Sequence, residues 1–341
     1  MTDRRLAASL LFGFLLLALA VVGPWILDLF VLLQLTTFAA LAMATLGLAF
    51  AWGAAGILSF GHAAFFGLGA YAYAIATVSL GDSTFGVLLG VLVPTIFSVL
   101  LGYFLFFGRV GDVYLGVLTL CVTLIFFSFM SSTADPAYRI AGVQLGGFNG
   151  ISGLPPLNVP GDGSAFLSPE AMFRFVVALL AVVYVLVCLL DRSAMGRVIA
   201  AIRVNELRSE LLGYDARLYK MGAFAVSAAA AGLGGALYTA NTGYVGPNVF
   251  DLNQASQFLL WVVAGGLGTF VGPLLASLAF QFLGTFLGTT SFGNAPLVFG
   301  TIIVFFVIVV PQGLLPTFGT IVRRLGRVRR PRRRAISAEE R

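Results

Sequence analysis

The feature that most constrains this chain is a series of long apolar runs that contain few charges. Two examples are the runs from Leu6 to Val22 and from Phe166 to Leu190. A helix of about 20 apolar residues crosses a bilayer, whereas barrel strands are about ten residues long and alternate in polarity. Only 10% of the 341 residues are charged, too few to cover a soluble domain. We therefore predict an all-α, polytopic transmembrane helical bundle, because lipid leaves few other solutions for the backbone.

The apolar runs predict about ten spans, within a range of eight to ten. The stretch from Ser256 to Gly288 is interrupted by Gly265, Gly266, Gly268 and Gly272-Pro273, so it is interpreted as two short spans or as one broken, partly re-entrant element. Arg4 and Arg5 precede the first run, which we interpret as a retained span rather than a cleaved signal peptide. The predicted spans lie near 6–23, 29–51, 62–80, 86–107, 113–133, 169–190, 218–240, 256–271, 273–288 and 295–317.

The basic residues orient these spans, because Lys and Arg are concentrated in cytoplasmic loops. A cytoplasmic N-terminus places eighteen of the twenty basic residues inside and leaves only Arg139 and Arg174 outside. The arginine-rich tail lies inside only if the number of spans is even. We therefore predict that the N- and C-termini are both cytoplasmic.

The predicted organisation is one transmembrane domain over 1–322 and an Arg-rich cytoplasmic tail over 323–341. The tail is interpreted as a surface anchor for anionic lipid rather than a nucleic-acid site. An outer loop over 134–168 is rich in Gly, Pro and Asn, which favours ordered turns over a plain connector. The inner loop over 191–217 mixes apolar and charged residues at helical spacing, which predicts an amphipathic helix with Asp191 or Ser193 as its N-cap and Gly213 as its stop.

The composition excludes several kinds of chemistry. The single lysine, Lys220, is not part of a Gly-Lys-Ser/Thr motif, so the chain has no phosphate-binding P-loop. Its single histidine, His62, and its two cysteines predict no metal site, cofactor site or catalytic residues. The predicted spans contain almost no acidic residues, which disfavours ion-coupled transport. The chain is therefore predicted to be no enzyme, and any energy-releasing step belongs to a partner.

Three segments remain as candidates for function. The glycine-rich segment from Gly53 to Tyr71 brings Ser59 and His62 into an apolar setting, as a lining of a transport path or as tight helix packing. The inner loop carries Glu206 and Glu210 one turn apart, either to dock a soluble partner or as a solvated face supported by Arg203 and Arg208. In the third, Ser227, Ala231 and Gly235 form a close-packing face.

These segments, in this order, resemble the permease subunits of bacterial branched-chain amino-acid ABC importers of the LivM type. The similarity covers nearly the whole chain. Ser59 to Tyr71 resemble the family's SFGHAAFFGLGAY signature. The other similar residues are Gly196-Arg197, Ala201 to Arg203, Asn205-Glu206, Arg208 to Glu210, Leu212-Gly213, Tyr244-Val245, Pro247, Phe250, Gly265-Gly266, Gly268-Thr269, Gly272-Pro273 and Gly146 to Ile151.

The resemblance implies a permease subunit in the bacterial inner membrane that translocates branched-chain amino acids. It implies a second permease subunit, identical or not, two ATP-binding subunits and a periplasmic substrate-binding protein. On this basis we expect coupling to the ATPase through Arg203, Glu206, Glu210 and Gly213. We expect a translocation path that includes Ser59, His62, Phe65, Tyr71 and Asn149.

Urea and short-chain amide permeases of the same family share this layout, so they remain an alternative. A stand-alone channel or a secondary transporter is a second alternative, and a membrane enzyme is a third.

Overall fold

The computed structural model describes residues 2–159, 162–289 and 300–301. This part of the chain is almost entirely helical, which confirms the predicted all-α polytopic bundle. Its α-helices are Thr2–Ile26 (α1), Leu29–Leu48 (α2), His62–Leu80 (α3), Ser83–Gly102 (α4), Asp112–Ser132 (α5), Pro169–Arg192 (α6), Ala194–Val204 (α7), Glu206–Leu211 (α8), Ala216–Thr242 (α9), Leu252–Gly265 (α10) and Val271–Thr289 (α11).

Eight helices of the described residues are long and apolar enough to cross a membrane. They correspond to the first seven predicted spans and to the span predicted at 273–288, with ends that move by a few residues. The predicted span at 295–317 and the tail at 323–341 lie outside the described residues, apart from two positions. We call the end of the bundle that carries α7 and α8 the inner end, and the end that carries the 134–168 loop the outer end.

Helices α2 and α9 form the centre of the bundle and run in opposite directions. In the inner half of α9, Ser227 donates a hydrogen bond to the carbonyl oxygen of Gly47 (2.6 Å). Near the outer end, the Asn241 amide donates to the carbonyl oxygen of Leu33 (3.1 Å). Between these points a Cβ added at Gly234 would lie 3.3 Å from Ala44 N. The small residues of α9 therefore bring two backbones close together, as predicted for this face.

Helix α3 begins inside the bundle rather than at its surface. Helix α2 continues inward as a π-helical segment, Ala49–Ala54, and the chain then returns toward the outer end without helical structure until His62. His62 contacts Ser227, eleven residues after the first residue of α9. Helix α3 then runs outward beside α9 and forms a hairpin with α4 at Gly81 and Asp82.

The interrupted apolar stretch at Ser256–Gly288 forms two helices of unequal length. Helix α10 has only 14 residues and is about 21 Å long at 1.5 Å per residue, shorter than the hydrocarbon core of about 30 Å. The turn after it lies near the inner end, because a Cβ at Gly53 would be 3.3 Å from Gly268 N. Helix α11 runs back outward, and Phe282 reaches Phe38 of α2 (5.1 Å between ring centroids). The predicted break is thus confirmed. Helix α10 covers 252–265 instead of the predicted 256–271 and is too short for a full crossing, which favours the alternative of a broken, partly re-entrant element.

Residues 134–159 and 162–168 of the outer loop form turns and short strands, as its turn residues predicted. Its Asn158 side chain accepts a hydrogen bond from Ser83 N (2.7 Å) and donates to the Asp82 carboxylate (3.1 Å), which joins the loop to the α3–α4 turn. The backbone N–H of Thr84, with the Asn158 amide, holds the pKa of Asp82 below its usual range. The strands are Arg139–Ile140 (β1), Val143–Gln144 (β2), Ile151–Ser152 (β3), Asn158–Val159 (β4), Asp162–Phe166 (β5) and Tyr244–Val245 (β6), paired antiparallel as β1–β2, β3–β6 and β4–β5.

Candidate functional site

The inner loop forms two short helices rather than the single amphipathic helix that was predicted. Ser193 caps α7, since its hydroxyl accepts a hydrogen bond from Gly196 N (3.2 Å). Asn205 breaks the helix and caps α8, since its side-chain oxygen accepts from Arg208 N (2.9 Å). The chain leaves α8 through Gly213, whose φ of 90° suits a residue without a Cβ. The prediction of an N-cap at Ser193 and a stop at Gly213 is confirmed.

Helix α7 turns two isoleucines toward the bundle, whereas α8 exposes its acidic residues together with its leucines, Leu207 and Leu211. Ile199 and Ile202 are buried, whereas Glu206, Glu210 and Gly213 are exposed. Glu206 forms an ion pair with Lys220 of α9 (2.6 Å). The predicted support of the glutamates by Arg203 and Arg208 is therefore wrong for Glu206, because the break at Asn205 turns α8 toward the first turns of α9.

Arg203 is exposed, and it contacts the π-helical segment instead of Glu206. Its guanidinium donates a hydrogen bond to the carbonyl oxygen of Gly53, at the end of the π-helical segment. A Cβ added at Gly56 would lie 2.9 Å from Arg203 Cγ, so the stem of the arginine packs on that glycine. Arg203 thus ties the inner helix pair to the segment that leads into α3.

A cleft of about 390 Å³ opens between α8 and the turn that follows α4. Charged side chains of both signs line it, so it suits a partner surface that carries both acidic and basic groups. Gly213 lies outside this lining. The charged lining residues are Arg109, Glu206, Glu210, Arg217 and Lys220.

The buried start of α3 is closed by a chain of hydrogen bonds. Ser227 uses its only proton to donate to the Gly47 carbonyl (2.6 Å), because a carbonyl oxygen can only accept. The hydroxyl oxygen must then accept from His62 Nε2, with which it is in hydrogen-bonding contact. This assigns the tautomer of His62 with its proton on Nε2. One chain of bonds therefore joins α3, α9 and α2.

The non-helical segment before α3 is held by hydroxyl groups of α5 and by its own serine. The Thr119 hydroxyl accepts a hydrogen bond from Phe60 N (3.1 Å). The single proton of the Thr123 hydroxyl is shared between the carbonyl oxygens of Thr119 (3.0 Å) and Phe60 (3.4 Å). The Ser59 hydroxyl accepts from Gly61 N (3.0 Å). Backbone groups that a helix would satisfy internally are thus satisfied by side chains, as apolar surroundings require.

The five residues predicted for a translocation path are not gathered at one surface. Four of them, Ser59, His62, Phe65 and Tyr71, are at most 2% exposed. Asn149 is exposed in the outer loop, and the structure does not bring it together with the others. Their burial supports the packing alternative in this conformation, and the path assignment for these five stays a prediction.

Sequence reasoning did not identify several partners of this site. Thr119 and Thr123 stand alone in an apolar run, and Ser227 was interpreted only as a small packing residue. Thr119 and Thr123 are four positions apart, which places both on one face of α5, and this spacing was an available signal. The cluster Asn253, Gln254, Ser256 and Gln257 at the start of α10 also drew no prediction, although four polar residues within five are unusual in a membrane helix.

Together these features define a polytopic helical membrane protein with a charged helix pair at its inner end. A family model described as the permease component of branched-chain amino acid transport systems matches residues 30–310. The chain belongs to this family.

Two relatives are the LivM permease proteins of the high-affinity branched-chain amino acid transport systems of Escherichia coli (strain K12) and Salmonella typhimurium (strain LT2). Each is 31% identical over 294 residues, which cover 80% of this chain and 66% of the relative. The chain thus spans about two thirds of the length of these relatives. No solved structure matches it.

Proposed function

We propose that this chain is the membrane-spanning permease subunit of an ATP-driven importer of branched-chain amino acids in the bacterial inner membrane. The match of the family model over residues 30–310 carries this proposal. The two LivM relatives, named for branched-chain amino acid transport, support the solute class. The chain itself catalyses no reaction, and ATP is hydrolysed by partner subunits.

The assembly we propose contains a second permease subunit, two ATP-binding subunits and a periplasmic binding protein. The exposed acidic residues of α8 and the adjoining cleft of about 390 Å³ support docking of an ATP-binding subunit at the inner end. In this role Glu206 and Glu210 contact the ATP-binding subunit, while Gly213 lets the chain turn back into α9.

Arg203 has a different role from the two glutamates in this proposal. Because it binds the Gly53 carbonyl and packs on Gly56, it transmits movement of α7 to the segment that leads into α3. Closure of the ATP-binding subunits then biases two arrangements of the bundle, one open outward and one open inward.

Reconstitution tests the function. The chain would be purified with its partner subunits, placed in proteoliposomes and assayed for ATP-dependent uptake of radiolabelled L-leucine, L-isoleucine and L-valine. We expect uptake of all three and none by the chain alone. Uptake of urea or acetamide in their place would favour the alternative permease class, and ATP-independent uptake by the chain alone would favour a channel or secondary transporter.

Matched variants test the two coupling roles. Glu206→Arg is expected to weaken co-purification of the ATP-binding subunits. Arg203→Gln is expected to leave co-purification intact while abolishing the stimulation of ATP hydrolysis by solute. Arg208→Gln is the control, because Arg208 is an exposed arginine of the same loop. Normal solute-stimulated hydrolysis in Arg203→Gln would contradict a transmitting role.

A further inference from the structure

The first turns of α10 carry a polar face that the rest of the bundle leaves uncovered. Asn253 is exposed, and Ser256 and Gln257 are partly exposed. These three residues share one side of the helix, since they are separated by three and four positions. The same side continues inward through Leu260 and Val263 to Leu267, so the face is polar in its outer half and apolar in its inner half.

Measured along the axis of the bundle, this polar face lies well inward of the outer end. Phe250, two residues before α10, packs so closely on α3 that a Cβ at Gly67 would overlap its ring. Gly69, half a turn later, contacts Gly232 of α9. Helix α9 continues ten residues beyond Gly232 to Thr242, which is about 15 Å further toward the outer end. The start of α10 is therefore well below the outer end of the bundle.

Lipid is an unsuitable neighbour for this face. If lipid tails covered carboxamide groups at this depth, the groups would have no water with which to form hydrogen bonds. Polar residues of membrane helices therefore face protein or a water-filled cavity. Their bonds within the chain are local: Ser256 donates to Leu252 O (2.8 Å), and Gln257 donates to Asn253 (3.3 Å). The sides of these polar groups that face away from the bundle remain open to a ligand or to water.

The chemistry of the face fits an aliphatic amino acid. A carboxamide both donates and accepts hydrogen bonds, so Asn253 and Gln257 can meet the carboxylate and the ammonium of a zwitterion. They do so without a net charge, which keeps binding weak enough for release. Leu260 and Val263, one and two turns further inward, offer an apolar surface to a branched side chain.

On the basis of the proposed function, we propose that the α10 face formed by Asn253, Ser256 and Gln257 lines the translocation path and contacts the transported amino acid. Gln257 is the residue of this face that lies closest to the middle of the bundle. Gln257 controls the passage of the amino acid by forming hydrogen bonds with it. The apolar half of the face accommodates the aliphatic side chain of the amino acid.

Cysteine accessibility tests this assignment. In a Cys121→Ser/Cys188→Ser background, Asn253→Cys, Ser256→Cys and Gln257→Cys would each be purified in the complete importer and exposed to a charged, membrane-impermeant methanethiosulfonate reagent. Val182→Cys is the matched control, because Val182 is an exposed apolar residue of α6. We expect the three α10 thiols to react and Val182→Cys to remain unmodified, and we expect L-leucine to slow the reaction of Gln257→Cys.

The other outcomes overturn the proposal. Failure of all three thiols to react would mean that lipid or packed protein covers the face. Disulfide formation between the α10 faces of two permease subunits, without protection by L-leucine, would make the face an interface between copies. Reaction without protection by L-leucine would make it a water-filled surface away from the path.

A second measurement separates solute contact from assembly. Gln257→Leu is expected to raise the L-leucine concentration for half-maximal import roughly tenfold, as loss of one charge-assisted hydrogen bond implies. Co-purification of the partner subunits should persist, and Gln257→Asn should restore part of the import. Absence of L-leucine import by the unsubstituted complex would contradict the proposed function alone. Normal import by Gln257→Leu would contradict only the role of this face.

Discussion

Helices α3 and α10 both begin inside the bundle, yet their first turns are built in opposite ways. Each follows a return of the chain without α-helix, one after the inner end of α2 and the other, which includes the 3-10 turn Pro247–Phe250, after the outer end of α9. The start of α3 is buried, and its polar groups bond to α2, α5 and α9. The start of α10 leaves Asn253, Ser256 and Gln257 at least partly exposed. The start of a membrane helix inside a bundle can thus be a buried, hydrogen-bonded junction, which we call the sealed joint, or an open polar surface. The partners of its side chains decide which of the two forms.

The two hairpins that contain these helices also point in opposite directions. Helices α3 and α4 turn at the outer end, whereas α10 and α11 turn near Gly53 at the inner end. Since α2 and α9 are antiparallel, the series α2, α3, α4 is followed by α9, α10, α11 with reversed orientation. Such inverted repeats place discontinuous helices near the middle of a transporter. The difference between the two starts therefore distinguishes a packed half from the half that we propose to contact the solute.

The largest expected effect comes from forcing α3 and α9 apart. A Cβ at Gly235 would press on the carbonyl oxygen of Phe66 and lie 3.0 Å from Ala70 N. We predict that Gly235→Ala destabilises the protein by about 1–3 kcal/mol, the usual range for overpacking. Gly102→Ala is the control, because its nearest neighbour would be at an ordinary 3.4 Å. Unfolding in SDS, followed by circular dichroism, measures both, and equal stability of the two variants would show that α3 and α9 do not need this close approach.

Removal of the Ser227 hydroxyl should open the sealed joint. In Ser227→Ala the His62 Nε2–H and the Gly47 carbonyl lose their shared partner, and unsatisfied buried groups cost about 1–3 kcal/mol. Ser277→Ala is the matched control, because the Ser277 hydroxyl is buried and, among the described residues, bonds to Leu274 of its own helix alone (2.9 Å). The same unfolding measurement applies. A loss in Ser277→Ala as large as in Ser227→Ala would remove the special role of the joint.

Thr119→Val should weaken the joint from the side of α5. The substitution keeps the shape of the side chain but removes the acceptor of Phe60 N (3.1 Å). We expect a loss of about 1 kcal/mol, the mean net value of one hydrogen bond. The expected loss for Thr123→Val is smaller, because its hydroxyl lies closer to the Thr119 carbonyl oxygen of its own helix (3.0 Å) than to that of Phe60 (3.4 Å). Hydrogen exchange at Phe60 N reports the change locally, and unchanged protection would count against this bond.

The smallest stability effect is expected on the open start of α10. Gln257→Leu should change the free energy of unfolding by no more than about 0.5 kcal/mol, as substitutions without buried partners do. The contrast with Ser227→Ala is the direct comparison of the two helix starts. A destabilisation of Gln257→Leu equal to that of Ser227→Ala would mean that both starts are structural.

The sequence alone determined the class of the fold and most span positions. Apolar runs must become helices in lipid, whichever neighbours they find, so α3 was predicted at its observed bounds, His62–Leu80. The break between Gly265 and Gly272 followed from glycines that interrupt such a run. Ser193 and Gly213 were also identified, because caps and stops depend on local backbone needs.

Only the tertiary structure decided which polar residues are partners and which are free to bind. His62 and Gln257 both appear in the sequence as polar residues in apolar runs, but one meets Ser227 and the other meets no group of a neighbouring helix in the described structure. Arg203 donates a hydrogen bond to Gly53, which lies 150 positions away in the sequence, whereas the sequence suggested a nearby glutamate as its partner. The periodicity of a run fixes the side of a helix on which a residue lies, but what that side meets depends on how distant helices cross.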